Sequence, residues 1–275
     1  MKNITLGRYL PYDTWIHRLD PRFKIIAMIA LLVCVFQPLP WIVNGFLALV
    51  ILVLLLMSRV KISSIFKSLK AMWFMILVIL IFNVILIRTG EVLFTIFDYP
   101  IYTKALLQTA TIAVRLTLMI SITTILTATT RPLDLTYGLE FFMTPLKVIK
   151  FPAHEIAMTI SIALRFIPTL LEETEKIMKA QASRGVDLKG GTFKQKINGI
   201  IALIIPLFVS SFQRSEELAN AMEARGYNPS GKRTRYRTLK FHAGDLVGLI
   251  VTCVVVALVF IAIYNPALIG IGGLV

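Results

Sequence analysis

Two arginines in matched surroundings are the residues of this chain best suited to chemistry. Arg184 closes the segment Glu175–Gly185 on Ala182-Ser183-Arg184-Gly185, and Arg225 closes Glu216–Gly226 on Glu223-Ala224-Arg225-Gly226, 41 residues later. In both segments a Glu stands nine residues before the arginine and an Ala four before it. Glycine easily adopts the left-handed conformation that a helix end requires, and the helix dipole favours a cation in the last turn. The pattern therefore predicts two helices that each end in a positive peg. A guanidinium is always charged and grips carboxylates through a planar fork, so the chemistry is recognition, by two similar acidic sockets on something else. One Arg-Gly at a helix end is a common stop signal; the doubling, with its flanking Glu and Ala, carries the argument. The candidate docking residues are Ser183, Arg184, Gly185, Ala224, Arg225 and Gly226.

Other chemistries find less support. Gly185-Val186-Asp187-Leu188-Lys189-Gly190-Gly191-Thr192 has the glycines of a phosphate-binding loop, but Gly191 occupies the lysine position and no strand precedes it. The chain is not expected to bind a nucleotide itself. His17, His154 and His242 are too scattered to hold a metal, and no Ser/His/Asp or Cys/His arrangement is visible. Cys34 and Cys253 lie in apolar runs and read as packing residues. Arg115 falls inside a Thr-rich apolar segment, where a charge is costly and often functional; snorkelling or pairing with a neighbouring helix accounts for it equally well. Asp245 is expected at the membrane interface.

The elements that must position the two pegs lie between Pro132 and His242. Three helices are predicted, over about Leu133–Ile149, Ala153–Arg184 and Lys194–Arg225, with Gly185, Gly190, Gly191 and Gly226 punctuating their ends. Pro168 and Pro206 predict matching kinks in the two long ones. Each long helix has an apolar upstream half, Ile156–Leu171 or Ile197–Phe212, and a charged downstream half, Glu172–Arg184 or Arg214–Arg225. The uninterrupted apolar run Ile200–Val209 is ten residues, shorter than a membrane crossing needs. A crossing there would also put the two pegs on opposite sides. The long helices are expected to lie against the membrane with charged tips in the cytoplasm.

Around this segment the chain reads as membrane-spanning. Its 275 residues are 57% hydrophobic and 16% charged, with a mean hydropathy of +0.78, which a soluble domain rarely reaches. Apolar runs fall at about Phe23–Phe36, Trp41–Met57, Ala71–Ile87, Ala105–Thr130 and Ala243–Tyr264. The first follows basic residues like a signal peptide but has no small-residue cleavage site, so it is read as retained. The net charge of +14 resolves into topology. Seventeen of the 29 Lys and Arg lie between Arg131 and Lys240, and only Arg88 and Lys104 fall on the opposite side. The positive-inside tendency then gives five spans, with the N-terminus cytoplasmic and the C-terminus outside. The Asn3-Ile4-Thr5 sequon would sit on the wrong side for glycosylation. No motif interleaves aromatics with the basic residues, so nucleic acid is not an expected partner. The expected class is an all-α membrane protein of about five transmembrane helices plus long cytoplasmic or interfacial helices. Residues 1–130 carry four spans, 131–242 form the cytoplasmic region with the two Arg-Gly tips, and 243–275 carry the last span.

Over nearly its whole length the sequence resembles the transmembrane coupling (T) component of energy-coupling factor transporters, a branch of the ABC transporters. His17-Arg18-Leu19-Asp20-Pro21-Arg22-Phe23-Lys24 is similar to that family's opening motif. Thr129-Thr130-Arg131-Pro132 through Leu139-Glu140, with Pro145-Leu146-Lys147, resembles the approach to its coupling helices. Ala163-Leu164-Arg165-Phe166-Ile167-Pro168, Ala180-Gln181-Ala182-Ser183-Arg184-Gly185 and Glu217 through Tyr227 match its most specific parts. One departure is Ser183, where alanine is common; both are small. The resemblance implies two cytoplasmic ATPase subunits, each receiving one arginine tip, with ATP and Mg bound by those partners and no cofactor on this chain. It implies a membrane-embedded substrate-binding (S) subunit, or several exchanging ones, set against the coupling helices and spans. The contact face would include Ile160, Leu164, Ile167, Ile201, Ile204, Ile205 and Phe208. The implied activity is uptake of vitamins or micronutrients across a prokaryotic cell membrane. The chain would be a non-catalytic coupling subunit, either a module shared among substrates or one dedicated to cobalt, nickel or biotin.

Rival classes fit the residues less well. An intramembrane enzyme needs paired acid–base groups or metal ligands at membrane depth, and none is apparent. A self-contained transporter is expected to carry polar residues in several spans or an inverted repeat, whereas the one repeat here is cytoplasmic. A passive scaffold for ATPases is compatible with the same sequence.

Overall fold

A computed structural model describes residues 9–96, 99–149, 151–185, 192–228 and 241–264. The sequon and the Gly190–Gly191 pair fall outside them. In chain order the elements are α1 (Trp15–Arg18), α2 (Pro21–Phe36), α3 (Trp41–Ser58), α4 (Ile62–Leu86), a hairpin of β1 (Val92–Ile96) and β2 (Tyr99–Tyr102), α5 (Thr103–Thr129), α6 (Pro132–Met143), a 3-10 turn (Thr144–Ile149), α7 (Ala153–Ser183), α8 (Phe193–Ala224) and α9 (Ala243–Tyr264). The chain is an all-α membrane protein apart from that short antiparallel hairpin, which the sequence did not announce. The chain divides into two compact units, Met1–Gly138 with Leu239–Val275, and Leu139–Thr238.

The first unit is a helix bundle. α5 packs on α2, α3 and α4, and α2 also packs on α9. Its core is small and apolar, with Cys34, Val35, Leu47, Ile51, Ile122 and Val259 buried. Cys253 faces outward, so the packing role expected of it holds only for Cys34. Several hydroxyls of α5 are satisfied on their own helix. Thr109, Thr117, Ser121 and Thr129 each donate to the carbonyl four residues earlier, at 2.7–2.9 Å. That removes the cost of polar atoms away from water. Asn83 of α4 donates to Thr109 at 3.0 Å, a polar tie between two spans. Arg115 is half-buried, and its Nε has no hydrogen-bond partner.

At one end of this bundle the opening motif folds into a buried polar knot. Asp20 caps α2, accepting the Arg22 N–H at 2.9 Å, and Pro21 fills the first helical position. Asp245, 1% exposed, accepts the Asp20 N–H at 2.7 Å and the His242 N–H at 2.8 Å. The buried Lys24 ammonium donates to the carbonyls of His17 (3.1 Å) and Thr129 (3.0 Å). α2, α5 and α9 are thereby tied across more than 200 residues of sequence. His17 Nε2 lies 3.0 Å from the Leu10 carbonyl, which can only accept. In the neutral ring Nδ1 is then the acceptor for the Thr14 hydroxyl at 2.6 Å. Burial, its main influence, holds His17 below the ordinary histidine value.

Among the described residues, six helices are long and apolar enough to cross a membrane: α3, α4 from Ile65, α5, α7, α8 and α9. This set differs from the five expected spans. The 16-residue α2 is about 24 Å long at 1.5 Å per residue, against a hydrocarbon layer of about 30 Å. α7 and α8 qualify because their apolar halves sit in helices of 31 and 32 residues. The expected helix over Leu133–Ile149 ends at Met143 and tightens into the 3-10 turn. Pro145 has no N–H to offer the carbonyl four residues back, which disfavours a continued α-helix there.

Candidate functional site

The second unit is built on α7 and α8, which pack against each other. Both remain helical through their internal prolines, Pro168 and Pro206. α8 starts at Thr192, whose backbone N–H is accepted by Gln195 Oε1 at 2.8 Å. At the other end of α7, His154 Nδ1 lies 3.1 Å from the carboxylate of the buried Glu140.

Both helices end in the same way. Ser183 and Ala224 are the last helical residues. Arg184 (φ −90°, ψ 7°) and Arg225 (φ −87°, ψ 8°) are the caps, and Gly185 and Gly226 follow at φ +83° and +71°. The Gly185 N–H donates to the Ala182 carbonyl at 3.0 Å and the Gly226 N–H to the Glu223 carbonyl at 2.8 Å. The Tyr227 N–H reaches back to Met222 at 3.0 Å, completing the Schellman pattern at the second tip. All six candidate docking residues are exposed. Among the described residues neither the Arg184 nor the Arg225 guanidinium has a side-chain partner. Each is a strong, planar, unused donor on a rigid helix end.

Side-chain contacts between α7 and α8 fix where these tips lie. Gln181 Nε2 donates to the Ala202 carbonyl at 3.3 Å. Eight residues earlier in α7, Glu173 accepts the Ser210 hydroxyl and pairs with Arg214 at 3.2 Å. Ser210 is eight residues later than Ala202 in α8. Matched steps in opposite directions mean that the helices run antiparallel. Arg184 therefore sits beside the start of α8, and Arg225 lies at its far end. At 1.5 Å per residue the two tips are roughly 40 Å apart.

The proposed contact face divides between the helices. On α8, Ile201, Ile204, Ile205 and Phe208 are 46–62% exposed, although the protein has a core elsewhere to bury them in. The Phe208 and Phe212 rings meet at 4.6 Å, tilted by 55°, on the same face. On α7, Ile167 is exposed, whereas Ile160 and Leu164 are half-buried. A continuous apolar stripe on a helix needs lipid or a partner to cover it. The sequence reading identified the tips and the stripe. It missed the Glu173–Arg214 and Gln181–Ala202 contacts, which involve side chains on two separate helices with no spacing signal to pair them.

Residues 12–236 match the family described as cobalt transport protein, CbiQ. The chain is 42% identical to the energy-coupling factor transporter transmembrane protein EcfT of Listeria innocua, over 94% of this chain and 98% of that one. It is 42% identical to the protein of that name from Lactococcus lactis, over 95% and 98%. With the Bacillus subtilis protein of that name the identity is 40%, over 94% and 98%.

Proposed function

Because the chain belongs to the family of energy-coupling factor transporter transmembrane proteins, we propose that it is the subunit that couples two cytoplasmic ATPases to a membrane-embedded substrate-binding subunit. The observation that carries this reading is the pair of matched, exposed arginine tips at opposite ends of an antiparallel helix pair. Each tip supplies one bidentate cation to an acidic groove, so Ser183-Arg184-Gly185 engages one ATPase and Ala224-Arg225-Gly226 the other. ATP and Mg are held by those partners, and this chain carries motion rather than chemistry. The exposed stripe through Ile201, Ile204, Ile205 and Phe208, continued by Ile160, Leu164 and Ile167, receives the substrate-binding subunit. The basic residues between Arg131 and Lys240 support a cytoplasmic position for this region, with the N-terminus inside and the C-terminus outside a prokaryotic cell membrane.

The cargo is a vitamin or another micronutrient. The matching family's description names cobalt, which favours a dedicated metal transporter as the second reading. The relatives' shared name specifies no cargo, which suits a module serving several substrate-binding subunits. Purification from native membranes separates the two: several different small membrane subunits with one tagged chain support sharing, and a single one supports dedication.

The coupling role is tested by co-expressing the chain with the paired ATPases of its source and capturing the complex from solubilised membranes. Removing one partner of a buried interface ion pair costs roughly 2–5 kcal/mol. The Arg184→Glu/Arg225→Glu double variant is expected to lose both ATPases while remaining in the membrane. Retention of both by the double variant would overturn the reading.

A further inference from the structure

Pro206 lies inside α8, where a proline has no N–H to give the carbonyl four residues back. That carbonyl belongs to Ala202, and in an apolar stretch of helix an unpaired carbonyl is costly. It is the acceptor reached by Gln181 from the neighbouring helix, at 3.3 Å. Gln181 is half-buried and stands three residues before Arg184, inside the last turn of α7. The first docking tip is thus hydrogen-bonded to the backbone position in α8 that the proline loosens. Some 12 Å further along, at 1.5 Å per residue, Glu173 holds Ser210 and Arg214. The two attachment points bracket Pro206 on α8.

Resting on the coupling role proposed above, we infer that Gln181 is a positioning residue. It locks the Arg184 tip to the turn of α8 that Pro206 loosens, so that movement of the ATPase on that tip is delivered to α8 at its most deformable point. The Glu173–Ser210–Arg214 cluster is the second fastening, which keeps α7 from rotating about the first. A main-chain carbonyl freed by proline suits this use because its direction changes with the bend, whereas a carbonyl inside a regular helix is already engaged by its own helix.

The test is a double-mutant cycle in proteoliposomes holding the complete complex. Gln181→Leu removes the donor with little change in size. Pro206→Ala restores an N–H that bonds the Ala202 carbonyl within α8 and fixes its direction, so a Gln181 bond to that carbonyl no longer reaches a loosened turn. Removing one such hydrogen bond should lower substrate uptake per ATP hydrolysed by about threefold to tenfold in the Gln181→Leu variant, with ATPase capture from membranes unchanged. In the Pro206→Ala background, Gln181→Leu should have no further effect. Equal losses in the two backgrounds, or unchanged coupling in Gln181→Leu, would overturn the inference while leaving the coupling role standing. Failure of wild type to capture ATPases would instead remove the premise. Should Pro206→Ala abolish uptake, spin labels at the exposed Lys179 and Lys196, outside the docking residues, give a second readout in the assembled complex. Their distance distribution should broaden in Gln181→Leu and not between Pro206→Ala and the double variant; an unbroadened Gln181→Leu distribution would also overturn the inference.

Discussion

Gly226 shows what a single residue would contribute to the proposed docking. Its φ is +71°, and nothing lies within 4 Å of where a Cβ would sit, so the requirement is conformational and not steric. A left-handed conformation costs an ordinary L-residue roughly 1–2 kcal/mol, and asparagine tolerates it better than alanine. Gly226→Ala should therefore fray the last turn of α8 and weaken ATPase binding at that tip by about tenfold, while Gly226→Asn weakens it less. Affinity measured with a purified ATPase checks the order, and equal losses would point to some other role for the glycine. This residue was legible in the sequence because a helix stop is a local signal: the glycine, the preceding arginine and the helical run are all within one turn. Asp245 was not. It was expected at the membrane interface, but it is buried as the acceptor for the backbone of Asp20, 225 residues away. Nothing local to α9 records that contact, because both groups become intelligible only when the ends of α2 and α9 meet.

At the scale of elements, the apolar and charged halves of α7 and α8 were readable because hydropathy along a helix depends on composition alone. The helix bounds agree with the expected ones to within a residue for the same reason, since Thr192, Gly185 and Gly226 are strong boundary residues. The short hairpin Val92–Tyr102 and the 3-10 turn after Met143 were missed; each is too short to establish a period. Crossing order was also hidden, because it depends on which side chains of two long helices meet. The exposure of the α8 stripe yields a prediction at this scale. Ile204→Asn or Phe208→Asn introduces a polar amide into a face that needs cover, and burying such a group unpaired costs roughly 1–3 kcal/mol. Either substitution should release the substrate-binding subunit, by a factor of about ten or more in retained amount, and leave both ATPases attached. Unchanged retention of that subunit would reassign the stripe to lipid.

At the scale of the whole molecule, the antiparallel arrangement decides how the two arginines divide their work. The bond from Gln181 to Ala202 and the pairing of Glu173 with Arg214 set the direction of α8 against α7. From that direction alone the tips are separated by roughly 40 Å, more than one side-chain socket can span. On the coupling role proposed above, each arginine engages its own groove, and the two should fail independently. Arg184→Glu alone is expected to leave a complex retaining one ATPase through Arg225, and Arg225→Glu alone to retain one through Arg184. Native mass spectrometry of the captured complexes distinguishes this from a cooperative clamp. A clamp in which both tips grip a preformed ATPase dimer predicts that either single variant keeps both copies at reduced affinity. Independent sockets predict a species lighter by one ATPase, with a different copy missing in each variant where the two ATPases differ in mass. If either substitution removes both copies, the tips are not independent, and the long separation serves to measure the spacing of an ATPase pair that binds as one body.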